Sequence, residues 1–334
     1  MPEDYALRPT RPEDAEALNA LYFLLTGTRR TVEQWRWEWL DGPFGPAPSW
    51  VIVSPEGTTV GHHGVVPVPL AWRGTTLNAA RTENTMVHPD HRTRFNYPRF
   101  EARLLREYLG RFDVIFTTAG KGAQAAVRRR LGYHSAGRWR TYTVHRSPAW
   151  LTTRVLGSGA GRLAGWLTMP GRAEALAIET TRDAHRLAAL AARAAQDDDT
   201  VGGARTAAHL DWRLFKHPWH RYQAAIVNER DATIGWIAWR EALGAAGTLD
   251  INVDDFVALA GTVDAHKKLF RALAARYSAR PARLLVRSLD SSPQLNEICV
   301  THDRSSDGAE LLVRSDRLPA DAPWNPTMLI AEGI

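Results

Sequence analysis

Residues 85–105, "TMVHPDHRTRFNYPRFEARLL", carry the first group of side chains whose types and spacing suggest chemistry. A strand-like run ends at Val87, a polar turn follows, and a helical pattern opens near Pro98. Such a turn exposes successive backbone N–H groups, and the helix behind it directs its positive dipole end toward them. That geometry binds a pyrophosphate. Arg92 and Arg94 add guanidinium groups to the turn, and Asn96 adds an amide. Phe95 and Tyr97 stand where a pyrophosphate loop normally has glycine, which lets phosphate oxygens approach the backbone. Upstream lie a carboxylate, Glu83 in "RTENTMV", and two imidazoles, His62 and His63 in "VGHHGVV". Neighbours on a strand point to opposite faces, so at most one of the two histidines faces a given cleft. No His/Asp set at ligand spacing stands out, and a single cysteine, Cys299, makes neither an internal disulfide nor a zinc cage. No metal is expected.

The charge around this stretch is uneven. Residues 91–146 hold 13 Lys/Arg against three acids, whereas the whole chain of 334 residues is +6. The remainder is therefore net acidic, and the basic segment would attract a phosphate-bearing partner or present a solvated arginine face. Hydrophobic residues make up 44% and charged residues 23%, the balance of a soluble globular protein. "MPEDYALRPT" lacks the basic and apolar regions of a signal peptide, and no 18-residue apolar run is free of charge. These features suggest a cytoplasmic protein without a membrane span.

Elements must position these groups. "YALRPT" reads as a strand, "RPEDAEALNALYFLLTG" and "TVEQWRWEWLDGP" as helices, and "SWVIVSPEG", "TTVGHHGVVPVPLAWRG" and "TLNAARTENTMVHPD" as strand-like runs. "PRFEARLLREYLG" is a helix, "DVIFTTA" a buried strand, "GAQAAVRRRLG" a helix and "RWRTYTVHR" a strand. The order is mixed α/β. Residues 148–175 read as a connector rich in small residues with a helical piece. Beyond it, "WRLFKHP" at 212–218 repeats the Trp-to-Pro pattern of "WEWLDGP" at 37–43, and "TIG" at 233–235 repeats "TVG" at 59–61. The offsets are 175 and 174, which argues for a duplicated domain. "NVDDFVAL" stands where the second copy would carry the phosphate turn; Asp254 and Asp255 there would repel phosphate, and either bind a cationic amine or face solvent. The spacing predicts a unit over residues 1–147, a connector, and a unit over 176–334. A helix at "SPQLNEICV" and a last strand at "GAELLVRS" would close the second unit.

"MVHPDHRTRFNYPRFEARLL" and "AVRRRLGYHSAGRWR" resemble the donor segment and the late helix of the GNAT acyltransferase superfamily, and the whole chain resembles a tandem GNAT whose second copy has lost its donor segment. The resemblance implies a donor site at Met86, Val87, His88, Arg92, Thr93, Arg94, Asn96 and Tyr97, with coenzyme A thioester or carrier-protein phosphopantetheine as co-substrate. The family pattern Arg/Gln-x-x-Gly-x-Gly/Ala keeps its first position in Arg92 but carries Phe95 and Tyr97 at the glycines. In this fold the amine meets the thioester between splayed central strands. Glu83 is then the first candidate for general base, or else an outward surface carboxylate; His62 and His63 follow as bases or structural residues; and Tyr133 is either a core aromatic or an acid for the departing thiolate. Trp35, Trp37, Trp39 and Trp212 suggest packing between units rather than a substrate cage, and Trp72 and Trp139 sit on strands able to line an acceptor pocket.

Three functions follow: N-acylation of a small-molecule amine from acyl-CoA; amide formation from a carrier-protein or aminoacyl-tRNA donor held by the basic segment 91–146; or non-catalytic binding on this scaffold.

Overall fold

A computed structural model describes residues 5–92, 97–119, 122–156, 176–195, 199–260, 264–292, 301–302, 308–327 and 330. The first half runs β1 (Ala6–Pro9), α1 (Ala15–Thr26), α2 (Val32–Trp39), β2 (Ser49–Val53), β3 (Thr59–Pro67), β4 (Leu70–Trp72), β5 (Thr75–Leu77), β6 (Ala79–Val87), α3 (Tyr97–Leu109), β7 (Val114–Ala119), α4 (Ala123–Arg130) and β8 (His134–Arg146). Then come α5 (Pro148–Leu156), β9 (Leu176–Thr181), α6 (Ala184–Ala194), β10 (Gly202–Gly203) and α7 (Ala207–Leu210), which continues as a π-helical turn over Asp211–Phe215. The chain goes on through β11 (Tyr222–Glu229), β12 (Ala232–Leu243), β13 (Leu249–Ala258), α8 (Ala265–Arg276), β14 (Ala282–Leu289), β15 (Thr301–His302) and β16 (Glu310–Ser315).

Local sequence accounts for the helices. Thr31 and Gln34 form a capping box at the start of α2: Gln34 N donates to Thr31 Oγ1 at 3.2 Å, and Thr31 N donates to Gln34 Oε1 at 2.7 Å. Asp183 caps α6 and Thr206 caps α7 more simply, each side chain accepting from the backbone N–H three residues on, of Arg186 and His209. Along α3, Phe100, Leu104 and Tyr108 recur at helical spacing and are buried, while Arg99, Arg103 and Arg106 are exposed. The two strand-like runs 58–74 and 76–90 each break in two. The end of the first run, β4, and the start of the second, β5, leave the main sheet to form a small one with β10.

The strand order of the main sheet is β1-β2-β3-β6-β7-β16-β8-β14-β13-β12-β11-β9, with β15 paired to β8. The order is symmetric about its middle. Five strands of the first half, β1-β2-β3-β6-β7, mirror β9-β11-β12-β13-β14 of the second. Between them lie the last strand of each half, and these are exchanged. β16 pairs antiparallel with β7 over Glu310–Ser315, and β8 pairs antiparallel with β14 over Trp139–Arg146. The sequence suggests that the strand at 308–315 closes the second unit. It lies inside the sheet of the first, and β8 runs on from one half into the other.

The repeat is visible at single residues. Trp37 of α2 stacks on Trp212 of the π-turn, with ring centroids 4.3 Å apart and planes 14° from parallel, and Trp212 Nε1 donates to the Trp37 carbonyl at 3.3 Å. Gly61 on β3 lies against β6, where an added Cβ would come to 2.9 Å from the Met86 carbonyl. Gly235, its counterpart on β12, lies against the Val257 carbonyl of β13 with φ +153°. Both glycines allow a close approach of the next strand.

Candidate functional site

β6 and β7 run parallel but pair only over Ala79–Arg81 with Val114–Phe116. β6 then continues as far as Val87 along β3 alone, so the two strands part. The counterpart pair, β13 and β14, is paired for longer, over Leu249–Val253 with Ala282–Val286, before it too parts. Where β6 leaves β7, Asn84 takes φ +47°, a left-handed conformation uncommon outside glycine, and the register with β3 shifts between His62 and Gly64. A bulge beside a parting of parallel strands marks the candidate site.

On the α3/α4 face, a largely buried network centred on Arg128 ties the parted strands together. Arg128 of α4 donates from Nη2 to Thr85 Oγ1 on β6 at 3.1 Å and from Nη1 to Thr117 Oγ1 on β7 at 3.2 Å. Its Nε donates to Glu101 Oε1 at 2.9 Å. Glu101 Oε2 accepts from His63 Nε2 at 2.8 Å and from the Tyr97 hydroxyl at 2.7 Å, and His63 Nδ1 lies 3.0 Å from the Tyr108 hydroxyl. Burial opposes the Glu101 charge, but His63 and Arg128 outweigh it and hold the carboxyl well below the usual range. Gln124, one turn before Arg128, reaches the Thr85 carbonyl at 3.5 Å.

The opposite face, toward α1 and α2, carries two carboxylates. Glu83 Oε2 pairs with Arg81 Nε at 2.9 Å, and the side chain keeps 17% of its surface open. Glu38 of α2 is 1% open, accepts from Arg30 Nη1 at 2.8 Å, and accepts from Asn84 Nδ2 at 2.9 Å. Burial pushes the Glu38 carboxyl up to about 8; Arg30 opposes this and the charge of Glu83 adds to it. Arg81 also donates from Nη1 to the Ile330 carbonyl at 2.8 Å, which brings the end of the chain to this face. A cavity of about 10 Å³, scarcely room for one water, lies between Glu38, Arg81, Trp37, Trp212 and His209.

The residues expected from sequence divide between these faces. Glu83 lies beside the bulge. His62 and His63 point to opposite faces. His62 Nδ1 donates to the Asn84 carbonyl at 2.9 Å, its Nε2 has no partner among the described residues, and burial lowers its pKa to about 3. It therefore takes no proton near neutral pH. His63 has both ring nitrogens engaged by Glu101 and Tyr108 and offers none to a substrate. Tyr133 is buried in the core with Phe100, Leu104 and Ile115, and burial raises its phenol. Met86 packs against Leu21 and Tyr22 of α1, and Val87 turns to the opposite core.

Further along the turn, His88 Nδ1 accepts from Asp90 N at 3.4 Å, and the exposed Arg92 donates from Nε to the Val87 carbonyl at 3.1 Å. Thr93, Arg94, Phe95 and Asn96 lie outside the described residues, as does Cys299. Tyr97, expected on the donor side, directs its hydroxyl inward to Glu101. Trp139 is buried in the core, and Trp72 lines a separate cavity of about 420 Å³ against α6, whose two charged lining residues, Arg73 and Arg205, are paired with Asp199 and Asp255. Asp254 and Asp255 neither face solvent nor await an amine: they are buried and paired with Arg240 and Arg205 at 2.8 Å.

The buried set Glu101, Arg128, Glu38 and Arg30 was missed from sequence. Its signal was a charge on an inward face: Glu101 follows Tyr97 by four residues and precedes Tyr108 by seven, within the buried side of α3.

The sequence matches no family model and no curated protein at a significant level. Solved structures do match. A GCN5-related N-acetyltransferase from Anabaena variabilis superposes with TM-score 0.67 at 13% identity, over 93% of this chain and 72% of that one. A GCN5-related N-acetyltransferase from Kribbella flavida gives 0.65 at 14% identity, over 95% and 72%. Eis1 from Mycobacterium abscessus gives 0.57 at 18% identity, over 93% and 73%. Identities this low speak for the fold, and the fold of the chain is that of the GCN5-related N-acetyltransferases.

Proposed function

We propose that the chain is an N-acyltransferase that moves an acyl group from a thioester to an amine by direct attack, with acyl-CoA as donor and a small molecule as acceptor. The parting of β6 from β7 at the Asn84 bulge carries this reading. It leaves strand edges against which a thioester arm would lie, with a carboxylate on one side and a guanidinium on the other. The acceptor enters from the α1/α2 face. Glu83 is the accessible carboxylate there, and it takes the proton that the attacking nitrogen sheds. Glu38, behind it and raised toward neutrality, adjusts the local charge. Arg92 at the mouth of the turn suits a donor phosphate.

The test is release of free thiol from acetyl-CoA and longer acyl-CoA thioesters across a panel of primary amines, together with calorimetry of coenzyme A. Amine-dependent thiol release supports the reading. Absence of coenzyme A binding at millimolar concentration removes that donor. The second reading, a polyanionic macromolecular donor, then takes its place; the exposed row Arg99, Arg103 and Arg106 on α3 favours it.

A further inference from the structure

Arg128 is a buried cation, 3% open, placed in the gap between the parted strands. It is held from three sides: by Thr85 on β6, Thr117 on β7 and Glu101 on α3. A guanidinium has five N–H donors, and these bonds use three of them. Among the described residues, one N–H on each terminal nitrogen remains for another acceptor. Its charge cannot titrate away, and Glu101 fixes its orientation. Tyr133, which the sequence leaves as either a core aromatic or an acid for the sulfur, is packed in the core.

We infer that Arg128 stabilises the departing thiolate. This rests on the acyl-transfer reading above. The amine nitrogen forms its bond to the thioester carbon, and the carbon–sulfur bond breaks. The sulfur leaves with the electron pair, and the ammonium proton passes to Glu83. Arg128 keeps its own proton and meets the new negative charge with its two remaining N–H groups. In a water-poor gap a preoriented cation acts strongly on charge that develops there.

The test varies the leaving group. The wild-type chain is compared with the double variant Glu101→Gln with Arg128→Gln. The double variant removes both charges of the buried pair and so avoids leaving one uncompensated. Thermal melting verifies that both fold. Acetyl-CoA supplies an alkyl thiolate, a poor leaving group; S-phenyl thioacetate supplies an aryl thiolate that departs unaided. Loss of Arg128 is expected to lower kcat/KM about 10²-fold with acetyl-CoA and less than about fivefold with the phenyl thioester. An equal loss with both donors means a structural role and overturns the inference, as does a double variant with unchanged rates. A wild-type chain that transfers from neither donor overturns the acyl-transfer reading itself, and the role of Arg128 with it.

Discussion

At the scale of single residues, buried histidines make stability depend on pH. Burial lowers His62 to about 3 and His209 to about 4. In the unfolded chain both protonate near 6.5, so between that pH and their folded values the unfolded state holds more protons and stability falls as pH falls. Each contributes a slope of about 1.4 kcal/mol per pH unit. The melting temperature should therefore drop on going from pH 6.5 to 4.5, and His62→Asn with His209→Asn should flatten that drop in a melting series. Glu38 has the opposite sign, because its raised carboxyl favours the fold below pH 4.5 and loses that advantage as pH rises toward 8. The Glu101–Arg128 pair predicts a separate effect. Glu101→Ala leaves Arg128 buried without its partner and should cost about 3–5 kcal/mol in a urea titration. For catalysis, Glu83→Gln should lower turnover about 10²-fold with little change in donor affinity; an unchanged rate would remove Glu83 as the base.

At the scale of elements, the glycines on β3 and β12 set how closely the next strand packs. Gly235→Ala would press a methyl into the Val257 carbonyl in a backbone conformation that suits glycine, and should cost about 2–3 kcal/mol. Gly61→Ala meets Ile52 and the Met86 carbonyl and should cost about 1–3 kcal/mol, read in the same titration. The element pattern was largely legible from sequence. Periodicity located most helices and strands, and the paired Trp and T-x-G positions pointed to a repeat that places Trp37 against Trp212. Two things were not legible. A buried strand such as β16 has an apolar run that suits any neighbour, so its own residues do not say which half it joins. Charges such as Glu101 and Arg128 read as solvated until the packing shows what faces them. Tyr133 and Trp139 were ambiguous for the same reason: an aromatic on a strand suits a core and a pocket equally.

At the scale of the whole molecule, the two halves share one sheet through exchanged strands. A fragment of residues 1–147 lacks β16 and leaves the edges of β7 and β8 unpaired. It should fail to give a cooperative melt, and addition of a 309–334 peptide should restore one if the β7 edge is otherwise formed. No helix among the described residues is long and apolar enough to cross a membrane. The exposed Arg99, Arg103 and Arg106 discriminate between donors. Their reversal to Glu should leave reaction with free acyl-CoA nearly unchanged. It should abolish reaction with a polyanionic carrier or tRNA, whose affinity would also fall steeply with salt.

The position of β16 has a consequence for synthesis. The chain emerges from the ribosome N-terminus first, yet the strand that completes the first half is made only after the other strands of the second half. Until then β7, which carries the wall of the candidate site, presents an open edge while the strands of the second half are translated. The nascent chain should therefore be prone to aggregation over that interval, and a ribosome-bound holdase that shields strand edges should raise its yield more than one acting after release.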